Sequence, residues 1–152
     1  MIEMLVGGVL YFIDRTIKRN VESKMTVGEE HDLGHGHFKL CLHHNYGSAG
    51  NMGAGNPKYV KMLSLLLTVL VNALFFFNLF SKKNTEKLSE SFGLALLASG
   101  ALSNTYDRMT RGYVTDYLRI MHGPKWFKRL IWNLADFGII VGAIISLPDT
   151  WQ

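Results

Sequence analysis

The feature that most constrains this chain is an apolar stretch near its C-terminus, residues 126–148, which predicts a membrane-spanning helix. Within it a single carboxylate, Asp136, stands among Ile, Leu, Val, Gly and Ala residues. An Asp at the centre of a membrane helix costs about 2.5–3.5 kcal/mol on insertion, so such residues are rare and usually functional. Asn133 lies three residues earlier on the same helical face, where its amide can orient the acid. A purely structural hydrogen bond between helices is the alternative role for Asp136.

Apolar residues make up 48% of the 152-residue chain and are concentrated in blocks, as in polytopic membrane proteins. The block at 62–80 contains no charged residue. We predict an all-α polytopic membrane protein, a single domain over residues 1–152, with four transmembrane helices at roughly 2–20, 60–80, 90–108 and 126–147. Because the basic residues flank these spans and form no single stripe, the net charge of +4 indicates contact with membrane lipids and no nucleic-acid partner.

A polar insert at roughly 21–58 separates the first two predicted spans. Residues 37–43 alternate between apolar and polar, which predicts a half-buried strand. The insert also contains five of the six histidines. We predict no metal site, because no helical H-x-x-x-H pair occurs and supporting acids are sparse. The single cysteine, Cys41, excludes an internal disulfide.

Two carboxylates are candidates for chemistry: Asp116, just outside the third predicted span, and Asp136, twenty residues later. The segment between them is long enough to turn back, so that both acids can meet at one membrane depth. Two carboxylates that share a site do not both ionise easily, and one then serves as an acid and the other as a base. Such a pair can activate a water molecule against an amide. Spacing alone leaves coincidence open.

Five segments of this chain resemble four motifs of lipoprotein signal peptidase, the signal peptidase II family. Residues 100–108, GALSNTYDR, and 112–117, GYVTDY, resemble the motif GGALGN-x-x-DR … G-x-V-x-DF. Residues 132–136, WNLAD, resemble FN-x-AD. Residues 14–18 resemble D-x-x-x-K, and residues 45–49 resemble N-x-G-x-A. The motifs occur in the family's order and cover nearly the whole chain.

The resemblance implies a membrane aspartic endopeptidase that removes signal peptides from diacylglyceryl-modified prolipoproteins, cutting before the lipidated cysteine. It implies four transmembrane helices with a small extramembrane β-cradle, and Asp116 and Asp136 as the catalytic pair. It further implies that substrate is bound by Asn104, Arg108, Asn133, Asn45 and Asp14. No cofactor is required. We expect a monomer in the bacterial cytoplasmic (inner) membrane, with its active site near the outer face.

The chain departs from the family's motifs without losing a catalytic group. Gly50 stands where the family usually has an aromatic residue, and Ser103 replaces a glycine. Tyr117 and Trp132 replace phenylalanines, conservatively to judge by the ring alone.

The distribution of basic residues opposes the family's orientation. The loop that would face the cytoplasm contains Lys82, Lys83 and Lys87, whereas the outer segments contain more cations. These are Arg111, Arg119, Lys125, Lys128 and Arg129. A positive-inside count therefore favours the inverted orientation. We follow the resemblance, because a folded outer layer or lipid phosphates can hold these side chains.

Two other functions fit parts of the sequence. In a small four-helix transporter, Asp136 would be a proton or cation site and Asp116 would be dispensable. In a substrate-binding homologue that has lost activity, the pair of acids would have no catalytic use.

Overall fold

A computed structural model describes residues 1–81 and 88–147, which form four helices and one antiparallel sheet. The helices are α1 Ile2–Lys24, α2 Pro57–Phe80, α3 Leu88–Thr110 and α4 Leu134–Ser146. The strands are β1 Glu30–Leu33, β2 Phe38–Asn45, β3 Val114–Ile120 and β4 Ile131–Trp132. The predicted number of helices, four, and the presence of a small sheet are confirmed.

Helix α3 is central, because α1, α2 and α4 all pack against it. Glycines allow α3 and α4 to approach backbone to backbone. A Cβ atom at Gly100 would overlap the carbonyl oxygen of Ala135, and one at Gly142 would lie 2.5 Å from the amide nitrogen of Leu97. The Gly100 contact places the first turn of α4 against the middle of α3, and the Gly142 contact holds the second half of α4 against the same helix.

The fourth helix begins at Leu134, so the prediction of a helix from residue 126 is wrong. Residues Phe127–Arg129 form a short 3-10 turn, and Ile131–Trp132 pair with β3. The cause is Asn133, whose side chain accepts a hydrogen bond from the amide of Asp136 and caps the helix. Asp136 therefore lies in the first turn of α4. The last residue of the apolar stretch, 148, is outside the described ranges.

The sheet has the order β1-β2-β3-β4, with all neighbours antiparallel. The insert supplies only β1 and β2, and the other half comes from the segment between α3 and α4. The strand predicted at 37–43 is present as β2, but its alternation is interrupted. A register shift between Leu40 and His43 turns both Cys41 and Leu42 inward, each 2% exposed.

Among the helices of the described ranges, α2 alone combines the length and the apolar composition of a typical membrane span, with a mean hydropathy of 2.2 over an 18-residue stretch. Helices α1 and α3 have the length, 23 residues each, but contain several charged side chains. With 13 residues, α4 is shorter than predicted. The lysines of the predicted inner loop, Lys82, Lys83 and Lys87, lie outside the described residues.

We expect Gly100→Ala to destabilise the fold by about 1–3 kcal/mol, because the new methyl group must displace the α4 backbone. Gly8→Ala is the matched control, since a Cβ atom there meets nothing within 4 Å. It should be neutral or slightly stabilising, because Ala favours helix. Thermal unfolding in detergent measures both. Equal effects of the two substitutions would contradict the close packing of α3 and α4.

Candidate active site

Asn133 brings the two predicted catalytic acids together. Its side-chain amide donates a hydrogen bond to Oδ1 of Asp116 at 2.7 Å. Its backbone amide donates to Oδ2 of Asp136 at 3.1 Å, and its side-chain oxygen accepts from the backbone amide of Asp136 at 2.9 Å. One residue thus contacts both acids, and it has no exposed surface.

Asn45 holds the other oxygen of Asp116. Its side-chain amide donates to Oδ2 of Asp116 at 2.9 Å, and its oxygen accepts from the backbone amide of Gly47 at 3.0 Å. Strand pairing explains the contact: His43 lies opposite Asp116 in the β2–β3 ladder, and Asn45 is two residues further along. Diagonal neighbours on one sheet face are within reach of each other.

Asn104 holds the second acid from α3. Its amide donates to Oδ1 of Asp136 at 2.8 Å, while its oxygen accepts from Nζ of Lys18 at 2.8 Å. The lysine thereby fixes which end of the Asn104 amide faces Asp136. The orientation of Asp136 thus depends, through Asn104, on the buried charge of Lys18.

Asp14 lies behind the pair, in a network of buried charges. Lys18 contacts Oδ2 of Asp14 at 2.8 Å and Oδ2 of Asp107 at 3.1 Å, and all three side chains are fully buried. Arg15 forms a further ion pair with Asp107. Because Asp14 has no exposed surface, it cannot contact a substrate in this conformation. Of the predicted substrate-binding set, Asp14, Asn133, Asn104 and Asn45 are thus buried, and Arg108 alone is partly exposed.

Arg108 lies on the open side of the site. Its Nη2 donates to the carbonyl oxygen of Gly47 at 2.6 Å, whereas its buried Nε has no partner among the described residues. Gly47 belongs to a tight loop, in which a Cβ atom at this position would overlap the backbone of Asn51 and Met52. A guanidinium has five N–H donors, so Arg108 retains further donors beside the loop.

The two acids differ in environment. Asp116 is 2% exposed, whereas Asp136 is partly exposed. Neither forms a salt bridge with a described residue. Burial, followed by the nearby charge of Asp136, raises the pKa of Asp116 to about 7. Asp116 can therefore hold a proton near neutral pH.

The departures from the motifs have clear places in the structure. The Ser103 hydroxyl donates to Oδ2 of Asp14 at 2.6 Å, and the Tyr117 hydroxyl donates to Oδ1 of Asp14 at 3.1 Å. The replacement of phenylalanine by Tyr117 is thus not conservative. Gly50 has a φ of +62°, and a Cβ atom there would lie 3.2 Å from the Leu130 side chain. The buried indole nitrogen of Trp132 has no partner among the described residues.

Sequence reasoning missed parts of this site that had recognisable signals. Asn133 and Asp136 form a capping box, in which each side chain binds the other's backbone amide. An Asn followed three residues later by an acid, directly before an apolar run, is a typical helix start. The i,i+4 spacing of Asp14 and Lys18 predicts their ion pair on one face of α1, which the structure contains. No local pattern shows that the pair is buried together with Asp107.

Comparison with known proteins identifies the family of this chain. The family model for signal peptidase II matches residues 6–152. The chain belongs to the signal peptidase II family. A curated lipoprotein signal peptidase of Teredinibacter turnerae is 34% identical over 88% of this chain and 78% of its own length. The corresponding protein of Brucella ovis is 35% identical over 86% of this chain and 78% of its own length.

Two solved structures, each described as a bacterial membrane enzyme, share the fold. One has a TM-score of 0.81 at 22% identity and covers 98% of this chain and 87% of its own. The other has a TM-score of 0.79 at 25% identity and covers 97% of this chain and 94% of its own. The prediction that this chain is a peptidase of the signal peptidase II family is confirmed.

We expect Lys18→Met to destabilise this family member by about 3–5 kcal/mol, because the substitution leaves Asp14 and Asp107 buried without their shared counter-charge. Lys24→Met removes an exposed lysine from the same helix and should change stability by less than about 0.5 kcal/mol. The free energy of unfolding in detergent compares the two variants. A Lys18→Met protein as stable as the control would contradict the buried network.

Proposed function

We propose that this chain removes signal peptides from diacylglyceryl-modified bacterial prolipoproteins, cutting before the lipidated cysteine with Asp116 and Asp136 as the catalytic pair. Family membership supports the reaction class. The observation that carries the assignment of the residues is a contrast among four aspartates. Asp14 and Asp107 are neutralised by Lys18 and Arg15, whereas Asp116 and Asp136 have no salt bridge to a described residue.

Two unneutralised carboxylates beside one another share a proton, because ionising both costs too much. We assign the proton to Asp116, which is the more deeply buried acid. We assign the charge to Asp136, which lies in the first turn of α4 and accepts hydrogen bonds from a backbone amide and from Asn104. The positive end of a helix dipole favours an anion there.

In the proposed reaction, Asp136 takes a proton from water as the water oxygen attacks the carbonyl carbon of the scissile amide. Asp116 gives its proton to the carbonyl oxygen, and a gem-diol forms. Asp136 then protonates the amide nitrogen, Asp116 takes a proton from one hydroxyl of the gem-diol, and the C–N bond breaks. Both acids end in their starting states. No step needs a metal or an organic cofactor.

The polar residues around the pair have two kinds of role in this proposal. Arg108 is the candidate for direct contact, because it is the one residue of the predicted substrate-binding set that is partly exposed. Asn45 and Asn104 border the site and orient the acids. Asn133 and Asp14 have no exposed surface, so we propose that they act through Asp116, Asp136 and α4.

We further propose that residues 1–152 form one domain, a monomer, and that all four helices span the cytoplasmic (inner) membrane. Large apolar side chains face outward from all four, which favours contact with lipid. Examples are Leu5 and Phe12 on α1, Phe77 and Phe80 on α2, Leu102 on α3 and Ile144 on α4. The substrate's signal peptide would reach the acids from within the membrane.

The proposed active site faces the outer side, despite the bias in basic residues. Two of the cations behind that bias are held by carboxylates within the outer layer. Arg111 contacts Glu22 at 3.2 Å, and Arg119 contacts Glu30 at 2.6 Å. These two side chains therefore argue less for a cytoplasmic location than a simple count does.

We expect Asp116→Asn and Asp136→Asn each to lower the cleavage rate by at least about 100-fold, because each removes a proton-transfer group. The assay uses purified protein and a diacylglyceryl-modified prolipoprotein, beside the same substrate without lipid. Only the lipidated form should be cut. Asp32→Asn is the matched control, since Asp32 is exposed and hydrogen-bonds only the amide of Gly36.

Each rival function has its own outcome. Wild-type cleavage by Asp116→Asn would exclude the pair, and a role for Asp136 alone would favour the transporter. A folded wild-type protein that cuts neither substrate would favour an inactive homologue. Equal cleavage of lipidated and unmodified substrate would contradict the proposed lipid specificity.

A further inference from the structure

The first amides of α4 are held by side chains from three different parts of the chain. The Leu134 amide donates to the Tyr117 hydroxyl at 2.8 Å, and the Ala135 amide donates to Oδ1 of Asp14 at 3.3 Å. The Asp136 amide donates to the Asn133 side chain at 2.9 Å. These amides have no acceptor within the helix, so the side chains that bind them determine where the helix begins.

The Tyr117 hydroxyl joins two of these contacts. It accepts from the Leu134 amide at 2.8 Å and donates to Oδ1 of Asp14 at 3.1 Å. Tyr117 is 5% exposed. Burial, and next the charge of Asp14, raise the pKa of the Tyr117 hydroxyl, so it keeps its proton and remains a donor to Asp14.

The Tyr117 hydroxyl links two chain segments, each of which contains one of the two acids. Tyr117 directly follows Asp116 on β3, and Leu134 lies two residues before Asp136 on α4. The bond between the Tyr117 hydroxyl and the Leu134 amide therefore closes a short path from one acid to the other. Asn133 makes the second connection between them.

We propose that the Tyr117 hydroxyl is a positioning group that sets the separation of Asp116 and Asp136 by holding the first amide of α4 against β3. This inference rests on the proposed function, since it concerns the same pair of acids. The motif that the chain resembles has phenylalanine here, so the motif itself assigns this position no hydrogen bond. In this chain the hydroxyl connects β3, α4 and the buried acid of α1.

The test is Tyr117→Phe, which keeps the ring and removes only the hydroxyl. We expect kcat on the lipidated substrate to fall by about 10- to 100-fold, because small displacements of catalytic groups have effects of this size. KM should stay within about twofold, since Tyr117 does not line the open side of the site. The alkaline limb of the pH profile should move to lower pH, because acids held further apart retain a shared proton less strongly.

Two variants separate positioning from general stability. Tyr113→Phe is the matched control: Tyr113 stacks on His44, and its hydroxyl has no hydrogen-bond partner among the described residues. It should keep the wild-type kcat and pH profile. Ser103→Ala removes the other hydroxyl on Asp14 without touching an α4 amide. At a comparable loss of thermal stability, it should lose clearly less kcat than Tyr117→Phe.

Wild-type kcat and an unchanged pH profile in Tyr117→Phe, with Asp116→Asn inactive in the same assay, would overturn the positioning role alone. So would a Ser103→Ala variant that loses as much kcat as Tyr117→Phe. Full activity of Asp116→Asn would instead contradict the catalytic pair, and the positioning role with it.

Discussion

The structure depends on how it buries negative charge. Four aspartates lie in the middle of α1, near the end of α3, near the start of β3 and in the first turn of α4. Taking ionised groups out of water costs several kcal/mol each unless they are paired. Lys18 and Arg15 neutralise Asp14 and Asp107. No equivalent cation pairs with the other two acids among the described residues. The same region thus contains two aspartates with ion-pair partners and, next to them, two without, for which we propose a shared proton.

The rest of the fold holds Asp116 and Asp136 in place beside the buried ion pairs. Gly100 lets α4 approach α3, which places Asp136 within reach of Asn104. The β2–β3 ladder places Asn45 beside Asp116. Each acid is therefore oriented by an asparagine whose own amide is fixed, by Lys18 in one case and by the Gly47 backbone in the other. Fixed donors of this kind lower the cost of reorganisation during a reaction.

The sequence predicted the helices through their apolar blocks and the acids through their motifs, because both signals are local. The block at 62–80 identified α2, whose observed bounds are Pro57–Phe80. The predicted start of α4, residue 126, is wrong because it treats Asn133 and Asp136 as neighbours on one helical face, whereas the helix begins at Leu134. Their spacing fits a capping box equally well, and only the pairing of Ile131–Trp132 with β3 decides between the two.

The contacts that organise the site were beyond prediction because they are distant in sequence. Tyr117 and Asp14 are 103 positions apart, and Lys18 and Asn104 are 86 apart. Tyr117 resembles phenylalanine in any comparison of ring size, so its hydroxyl carried no signal until its two partners were known. Residues 111–118 predict an extended segment, and 114–118 lie in β3. Nothing in the insert indicates that its strands pair with this segment.

A carbon-13 NMR titration of the aspartate side chains, in detergent, tests the shared proton most directly. The Asp116→Asn protein identifies the Asp116 signal by its loss. The account predicts that this signal titrates near pH 7, well above the ordinary value of about 3.9. Asp136→Asn should lower that pKa, because it removes the neighbouring negative charge. A signal that titrates near pH 4 in both proteins would contradict the pairing of the two acids.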